Sequence, residues 1–208
     1  MKVRVLASTS KVPAQIISLA AGTCYGKDDT SWKRVERCYK NGHLSVFEHV
    51  LVSFKIEGIS RACSHQLVRH RLASYSQQSQ RYNKYDFGTD DWFVTPPDIW
   101  EDDWKYTSYV AMMRTYIANY RSAIESMGCA SEDARFLLPE AMKTDIVVSM
   151  NLREFYHFLD VRWTKQAQWE IRQLAEEMYF ALRKYDGNDQ QWTRLLDLWM
   201  ADKTLTGA

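Results

Sequence analysis

Residues 1–7 alternate charged and branched apolar side chains with the period of a half-buried strand. Ser8 and Ser10 then offer a cap, and Pro13 stands where a first helical turn tolerates proline, which predicts a helix to about Ala21. The run Asp28-Asp29-Thr30-Ser31 precedes a second helix at 32–39, with Val35, Cys38 and Tyr39 at helical spacing and Gly42 closing it. Residues 46–56 interleave Val, Phe and Ile with polar positions and predict a strand ending at Gly58. Residues 60–71 predict a helix.

Between 72 and 98 the chain is rich in Ser, Gln, Asn and Asp and ends in Pro96-Pro97, which predicts loop and irregular strand. A long helix follows at 99–127, its apolar side marked by Tyr109, Met112, Met113, Tyr116 and Ile117, and Gly128 stops it. That stripe reads as core. Ser131-Glu132-Asp133 caps a short helix running to Pro139, 146–150 reads as extended, and 151–163 and 167–185 predict two further helices. One amphipathic stretch around 192–200 completes the chain. The class expected is α+β: a single domain over 1–208 with a central, mostly antiparallel sheet flanked by helices.

Composition narrows the function. The 208 residues include eight Trp, twelve Tyr and eight Phe, enough flat surface for a core and for stacking against flat ligands. With 27 Lys and Arg against 26 Asp and Glu the net charge is +1, so no global basic field favours nucleic acid or an anionic membrane, and any anion site is local. Cys24, Cys38, Cys63 and Cys129 are scattered and no secretory pattern opens the chain, which together predict a cytoplasmic protein. No apolar stretch approaches the roughly 20 residues of a membrane helix. The glycines form neither a dinucleotide fingerprint nor a phosphate loop. His43, His49, His65, His70 and His157 lack zinc-site spacing, so no metal is expected.

The chemistry concentrates at 69–81, Arg-His-Arg-Leu-Ala-Ser-Tyr-Ser-Gln-Gln-Ser-Gln-Arg. On a helix Gln66, Arg69 and His70 share a face and Arg71 points elsewhere. Arg81 follows a run of hydroxyls and amides able to bond phosphate or pyrimidine oxygens. A solvated basic face is the commoner meaning of such a run. At 151–163, Asn151 and Arg162 fall within the apolar arc of Leu152, Phe155, Tyr156, Phe158 and Leu159, while Arg153 and His157 lie on the opposite, polar arc. A guanidinium on an apolar face demands an electron-rich partner: a ligand, or a carboxylate such as Asp160 or Glu170.

Arg69-His70-Arg71, seven residues and then Ser79 resembles the signature of the flavin-dependent thymidylate synthases. Companions in the same order strengthen the resemblance: Gly42-His43-Leu44-Ser45-Val46-Phe47-Glu48-His49, Gln66-Leu67-Val68-Arg69, and Asn151-Leu152-Arg153 with His157 and Arg162. It extends from about Ala20 to about Lys184.

That resemblance implies an enzyme that methylates dUMP to dTMP. Methylenetetrahydrofolate is the carbon donor, FAD delivers hydride, NADPH is the reductant, and the chain assembles as a homotetramer with shared active sites. It implies flavin contacts at Ser45, Arg69, His70, Arg71, Gln77, Asn151, Leu152, Arg153 and His157. Nucleotide contacts fall on Gln66, Leu67, Val68, Arg69, Gln77, Gln78, Ser79, Gln80, Arg81, Arg135 and Arg162, with Arg81, Ser79 and Arg135 at the phosphate. Arg162 becomes the main catalytic residue, its charge favouring an ionised pyrimidine. His43 is the one folate position implied. Many members carry Glu at position 77, where this chain has Gln, which cannot act as a base. No cysteine follows a proline, in keeping with a flavin route. Two other readings remain open at this level: hydroxymethylation of the same nucleotide, and a nucleic-acid-binding module, which near-zero net charge disfavours.

Overall fold

The computed structural model describes residues 1–82, 87–186 and 190–206. Its strands are β1 (Lys2–Ser8), β2 (Leu51–Ser60), β3 (Ala73–Gln77) and β4 (Lys143–Asn151), in the sheet order β1-β2-β4-β3. Ser53 meets Ser149 hydroxyl to hydroxyl at 2.7 Å, while the Leu152 N–H donates to the Val50 carbonyl at 2.8 Å. Numbering therefore rises along β2 as it falls along β4, the antiparallel relation. The helices are α1 (Pro13–Thr23), α2 (Trp32–Lys40), α3 (Arg61–Leu67), α4 (Pro97–Trp100), α5 (Asp103–Glu125), α6 (Ser131–Ala134), α7 (Leu152–Arg162), α8 (Trp169–Tyr185) and α9 (Gln191–Thr206). The α+β class with an antiparallel sheet is as expected. No helix among the described residues is long and apolar enough to cross a membrane.

Two compact units divide the chain. The first comprises Met1–Ile56, Gln66–Ser76 and Val147–Ala208, the second Glu57–His65 and Gln77–Ile146, so β2 and β4 contribute residues to both. In the first unit α8 packs on β1, α7 on α8, and α9 on α1 and α8. Helix α7 buries Leu152, Phe155, Phe158 and Leu159, and the Phe155 ring stacks on Phe54 with centroids 5.5 Å apart. Each such ring removed from water contributes about 2–3 kcal/mol. Asn151 caps α7, its side-chain oxygen accepting from the Glu154 N–H at 2.8 Å. In the second unit Val110, Met113 and Ile117 of α5 close over Trp92, Phe93 and Met142.

Several boundaries depart from the sequence pattern. Residues 44–49 form a 3-10 helix rather than the start of a strand, because Phe47 turns inward between Tyr39 and Tyr156, each with ring centroids 6.0 Å away. β2 does not end at Gly58 but runs to Ser60. Gly58 adopts φ 73°, the left-handed value glycine allows, and its N–H is taken by the Asp145 carboxylate at 3.1 Å. The buried phase shifts there, from Val52, Phe54 and Ile56 to Ile59. The 99–127 helix is broken into α4 and α5, with Asp102 capping α5 through the Lys105 N–H. Its buried stripe is Val110, Met113, Ile117, Tyr120 and Ala123, about one position round from the expected one, leaving Met112 and Tyr116 exposed. The expected loop at 72–98 contains the regular strand β3, and positions 83–86 of it lie outside the described residues.

The helix expected to reach Arg71 stops at Leu67. Two backbone bonds turn the chain, from Arg69 N–H to the Gln66 carbonyl at 3.4 Å and from His70 N–H to the Leu67 carbonyl at 3.1 Å. The Tyr75 hydroxyl then lies 2.9 Å from the Leu67 carbonyl and 2.8 Å from that of His70, placing its single proton between two oxygens at the helix end. Arg69-His70-Arg71 therefore sits on a pinned turn, with His70 buried and both arginines exposed. Replacing Tyr75 by Phe removes one donor to this turn and is expected to cost about 1 kcal/mol, read as a lower urea midpoint at unchanged slope.

Candidate functional site

A cleft of about 660 Å³ in the first unit gathers Arg69, His70, Arg71, Arg153, His157 and Arg162, with Glu154 and Asp160 as its carboxylates. Four guanidiniums thus face two carboxylates, which makes the cleft locally basic in a chain of net charge +1. His70 and Glu154 lie at its floor, their side chains 3% and 5% exposed, with His70 Nδ1 3.0 Å from Glu154 Oε1. Arg162 Nε donates to His70 Nε2 at 3.1 Å, and Arg162 Nη2 donates to the Gln66 carbonyl at 3.2 Å.

These contacts fix the proton. A guanidinium can only donate, so His70 Nε2 must present its lone pair. The ring hydrogen therefore sits on Nδ1 and is given to Glu154. Burial holds the His70 pKa below its ordinary value; the Arg162 charge pushes the same way, against the hydrogen bond to Glu154. His70, Glu154 and His157 place donor atoms within 4.8 Å of one another. Both His70 nitrogens are engaged, by Glu154 and by Arg162, so the ring has no free lone pair to offer an ion.

The periphery is organised differently. Arg153 Nη1 meets Glu48 Oε1 at 2.6 Å, with both side chains about half exposed. Arg69 and Arg71 have no carboxylate partner among the described residues, and His157 is exposed. The wheel placed Arg153 and His157 opposite Arg162, yet all three line one cleft, because the long Arg162 side chain reaches His70 from the last turn of α7. Neither Asp160 nor Glu170 is the partner the sequence offered for Arg162. Asp160 instead accepts from Trp199 Nε1 at 2.7 Å.

The second unit holds a cleft of about 360 Å³ lined by Arg61, His65, Gln80, Arg135, Phe136 and Glu140, among others. Arg135 Nε donates to the Glu132 carbonyl at 2.9 Å, and Arg81 pairs with the Glu132 carboxylate at 2.5 Å. Ser79 Oγ accepts from the Arg81 N–H at 3.1 Å. The trio expected at a phosphate thus converges on one segment. Arg61 Nη2 donates to the Gln78 carbonyl at 2.6 Å, and the Gln78 N–H to that of Asp145 at 2.9 Å. Gln77 Nε2 donates to Ser64 Oγ at 2.8 Å and lies 3.4 Å from Thr144 Oγ1.

Other expected residues serve differently. Leu67 and Leu152 are fully buried, the Leu67 carbonyl used by Tyr75 and the Leu152 N–H by Val50, so their side chains belong to the core. Asn151 spends its side-chain oxygen on the α7 cap. Ser45, His43 and Val68 are exposed, and Leu44 rather than Ser45 lines the basic cleft. Sequence reasoning passed over Glu154, Tyr75, Glu48 and Arg61. Glu154 gave only a weak signal, since on the wheel it falls at the edge of the apolar arc, between His157 and Phe158.

A family model described as thymidylate synthase complementing protein matches residues 4–186. The flavin-dependent thymidylate synthase of Pyrococcus furiosus is 46% identical over 155 residues, 74% of this chain and 63% of that one. That of Thermococcus onnurineus is 41% identical over 88% of this chain and 79% of its own, and that of Geobacter sulfurreducens 42% over 86% and 80%. The match thus spans less than two thirds of the Pyrococcus furiosus protein. A crystal structure of the Helicobacter pylori flavin-dependent thymidylate synthase, complexed with FAD and dUMP, superposes with a TM-score of 0.72 at 26% identity, over 91% of this chain and 99% of that one.

The buried neutral imidazole makes stability depend on pH. Its folded pKa lies below the unfolded value of about 6.5, so the unfolded chain takes the proton first and acid favours unfolding. The contribution is complete above about pH 6.5 and is lost as pH falls through the folded pKa. Protonation would also set an Nε2–H against the Arg162 N–H. The melting temperature is expected to fall between pH 8 and 5 more steeply in the wild type than in His70→Gln; equal slopes would refute the buried neutral imidazole.

Proposed function

The chain belongs to the flavin-dependent thymidylate synthase family, and from that premise we propose that it methylates dUMP to dTMP in the cytoplasm as a flavoenzyme. The observation that carries the reading is the basic cleft. Arg69 and Arg71 project from a pinned turn without a carboxylate partner among the described residues, beside Arg153 and His157. Donor-only groups in such excess suit a diphosphate, which accepts on every oxygen. Arg69, His70, Arg71, Asn151, Arg153 and His157 would hold FAD, with Ser45, Leu152 and Gln77 as further positions implied by the family. Bound there, the flavin supplies hydride chemistry that no side chain can.

The family resemblance assigns the nucleotide to Gln66–Arg69, Gln77–Arg81, Arg135 and Arg162. Arg81, Ser79 and Arg135 would take its phosphate. Arg81 is held by an exposed carboxylate, an ion pair worth at most about 1 kcal/mol that a phosphate can replace. Arg162 is the proposed catalytic residue. His70 and the Gln66 carbonyl orient its guanidinium, and its fixed charge favours the pyrimidine anion that attacks the one-carbon unit. Gln77 cannot accept a proton and is assigned a holding role. Methylenetetrahydrofolate and NADPH are the co-substrates this reaction requires, and a homotetramer with shared active sites is the proposed assembly.

Purified protein is expected to show an oxidised-flavin spectrum, or to acquire one on reconstitution with FAD, and to sediment at the mass of four chains. A colourless, unreconstitutable protein would end the reading; a monomer binding one FAD per chain would end the shared site. Replacing Arg69 or Arg153 by Ala should raise the flavin dissociation constant about tenfold, the loss of one charged contact. Arg162→Ala should lower kcat for dTMP formation by at least about a hundredfold with a smaller effect on flavin retention. Equal effects at all three positions would refute the division of roles.

A further inference from the structure

Helix α9 lies wholly beyond the residues that the family model matches, yet it grips the helix that lines the basic cleft. The Leu195 carbonyl accepts from the Tyr156 hydroxyl at 2.9 Å, and Trp199 Nε1 donates to Asp160 Oδ1 at 2.7 Å. Lys203 Nζ stands 2.8 Å from the same Asp160 oxygen and 5.8 Å from the centre of the Trp199 ring. That ring stacks on Trp163, the C-cap of α7, with centroids 5.9 Å apart and planes 11° from parallel. Tyr156 and Asp160 are both walls of the cleft.

The position of Asp160 gives this grip a chemical consequence. Arg153, His157 and Asp160 stand at i, i+4 and i+7, so they share one face of α7. A loose carboxylate there would accept from Arg153 and His157 and repel an incoming anion. Asp160 has room to choose, since it also borders a neighbouring cleft of about 410 Å³ lined by Tyr39, Leu198, Trp199 and Asp202. An indole N–H and an ammonium can only donate, so Trp199 and Lys203 both draw the carboxylate toward α9.

We propose that α9 is an electrostatic clamp: Trp199 and Lys203 hold the Asp160 carboxylate off the basic edge of Arg153 and His157, so that Glu48, exposed and exchangeable, is the one carboxylate a diphosphate-bearing ligand displaces from Arg153. Both are positioning residues. The inference builds on the assignment of the cleft to FAD, and its test separates the two. Trp199→Phe retains a ring for the stack on Trp163 and removes the donor together with part of the buried indole, whereas Lys203→Met removes a donor and leaves the Trp199 stack in place.

Calorimetric titration of the full chain with FAD, and separately with inorganic pyrophosphate, reads the clamp. Trp199→Phe and Lys203→Met should each weaken both ligands roughly three- to tenfold, less than the full worth of a hydrogen bond to a charged group because the other donor still holds Asp160. Asp160→Asn, which removes the charge, should recover that loss in either background and recover more there than it gains alone. Purely additive changes, an unrecovered loss, or unchanged affinity in both single variants would overturn the clamp. Wild type that binds pyrophosphate and not FAD removes the flavin assignment and leaves the clamp to be decided on pyrophosphate; wild type that binds neither overturns both. Should Trp199→Phe fail to fold by circular dichroism, Lys203→Met and its double variant decide.

Discussion

A carboxylate cannot be buried without donors, and the buried Glu154 is the constraint on which the first unit turns. Its side-chain partner is His70, so the chain between α3 and β3 must bring residue 70 inward at that depth. An inward His70 leaves Arg69 and Arg71 outward on the same turn. Arg162 can reach His70 only from the end of α7, and its donor-only chemistry decides which nitrogen of the ring carries hydrogen. One buried acid thus sets a turn, a tautomer and the direction of a guanidinium. The Tyr75 hydroxyl and the Asn151 cap keep the two flanking backbones from relaxing away from that arrangement.

The arginines of the two clefts then fall into distinct physical states. Arg162 is committed: its Nε and Nη2 are used, and withdrawing either would strand His70 or the Gln66 carbonyl. Arg153 and Arg81 are engaged with Glu48 and Glu132 at exposed sites, where an ion pair is screened and weak. Arg69 and Arg71 are uncommitted among the described residues. A ligand anion meets the least resistance at the last pair, then at the exchangeable pairs, and cannot displace the committed one. Within the basic cleft this ordering leaves exchangeable positive charge at the rim and a guanidinium of fixed direction beside His70.

What the sequence conveys is what short-range periodicity can encode. The span of α7, its apolar arc, the extended run of β4 and the amphipathic tail were all legible, because each repeats at 3.6 or 2 residues over enough positions. The Arg-His-Arg triplet was legible as chemistry but not as shape. Its helix ends four residues early because Tyr75 and Glu154, eight and 87 positions beyond Leu67, supply the competing bonds. Gly58 was read as a stop because glycine usually is one; the Asp145 carboxylate that rescues its N–H belongs to a strand far along the chain. The α5 stripe was misplaced by about one position because tyrosine and methionine sit comfortably on either side of an interface edge.

Gln77 shows how far a hydrogen-bond inventory can go toward a role. The Ser64 hydroxyl donates its one proton to the Arg61 carbonyl at 2.9 Å, so toward Gln77 it can only accept. An amide N–H meets that acceptor directly. A carboxylate in the same place would face a lone pair unless Ser64 turned its proton away from the Arg61 carbonyl at the start of α3. The surroundings of residue 77 are thus fitted to a donor, and a donor that is never a base. The direction of that bond follows from Ser64 as much as from glutamine itself.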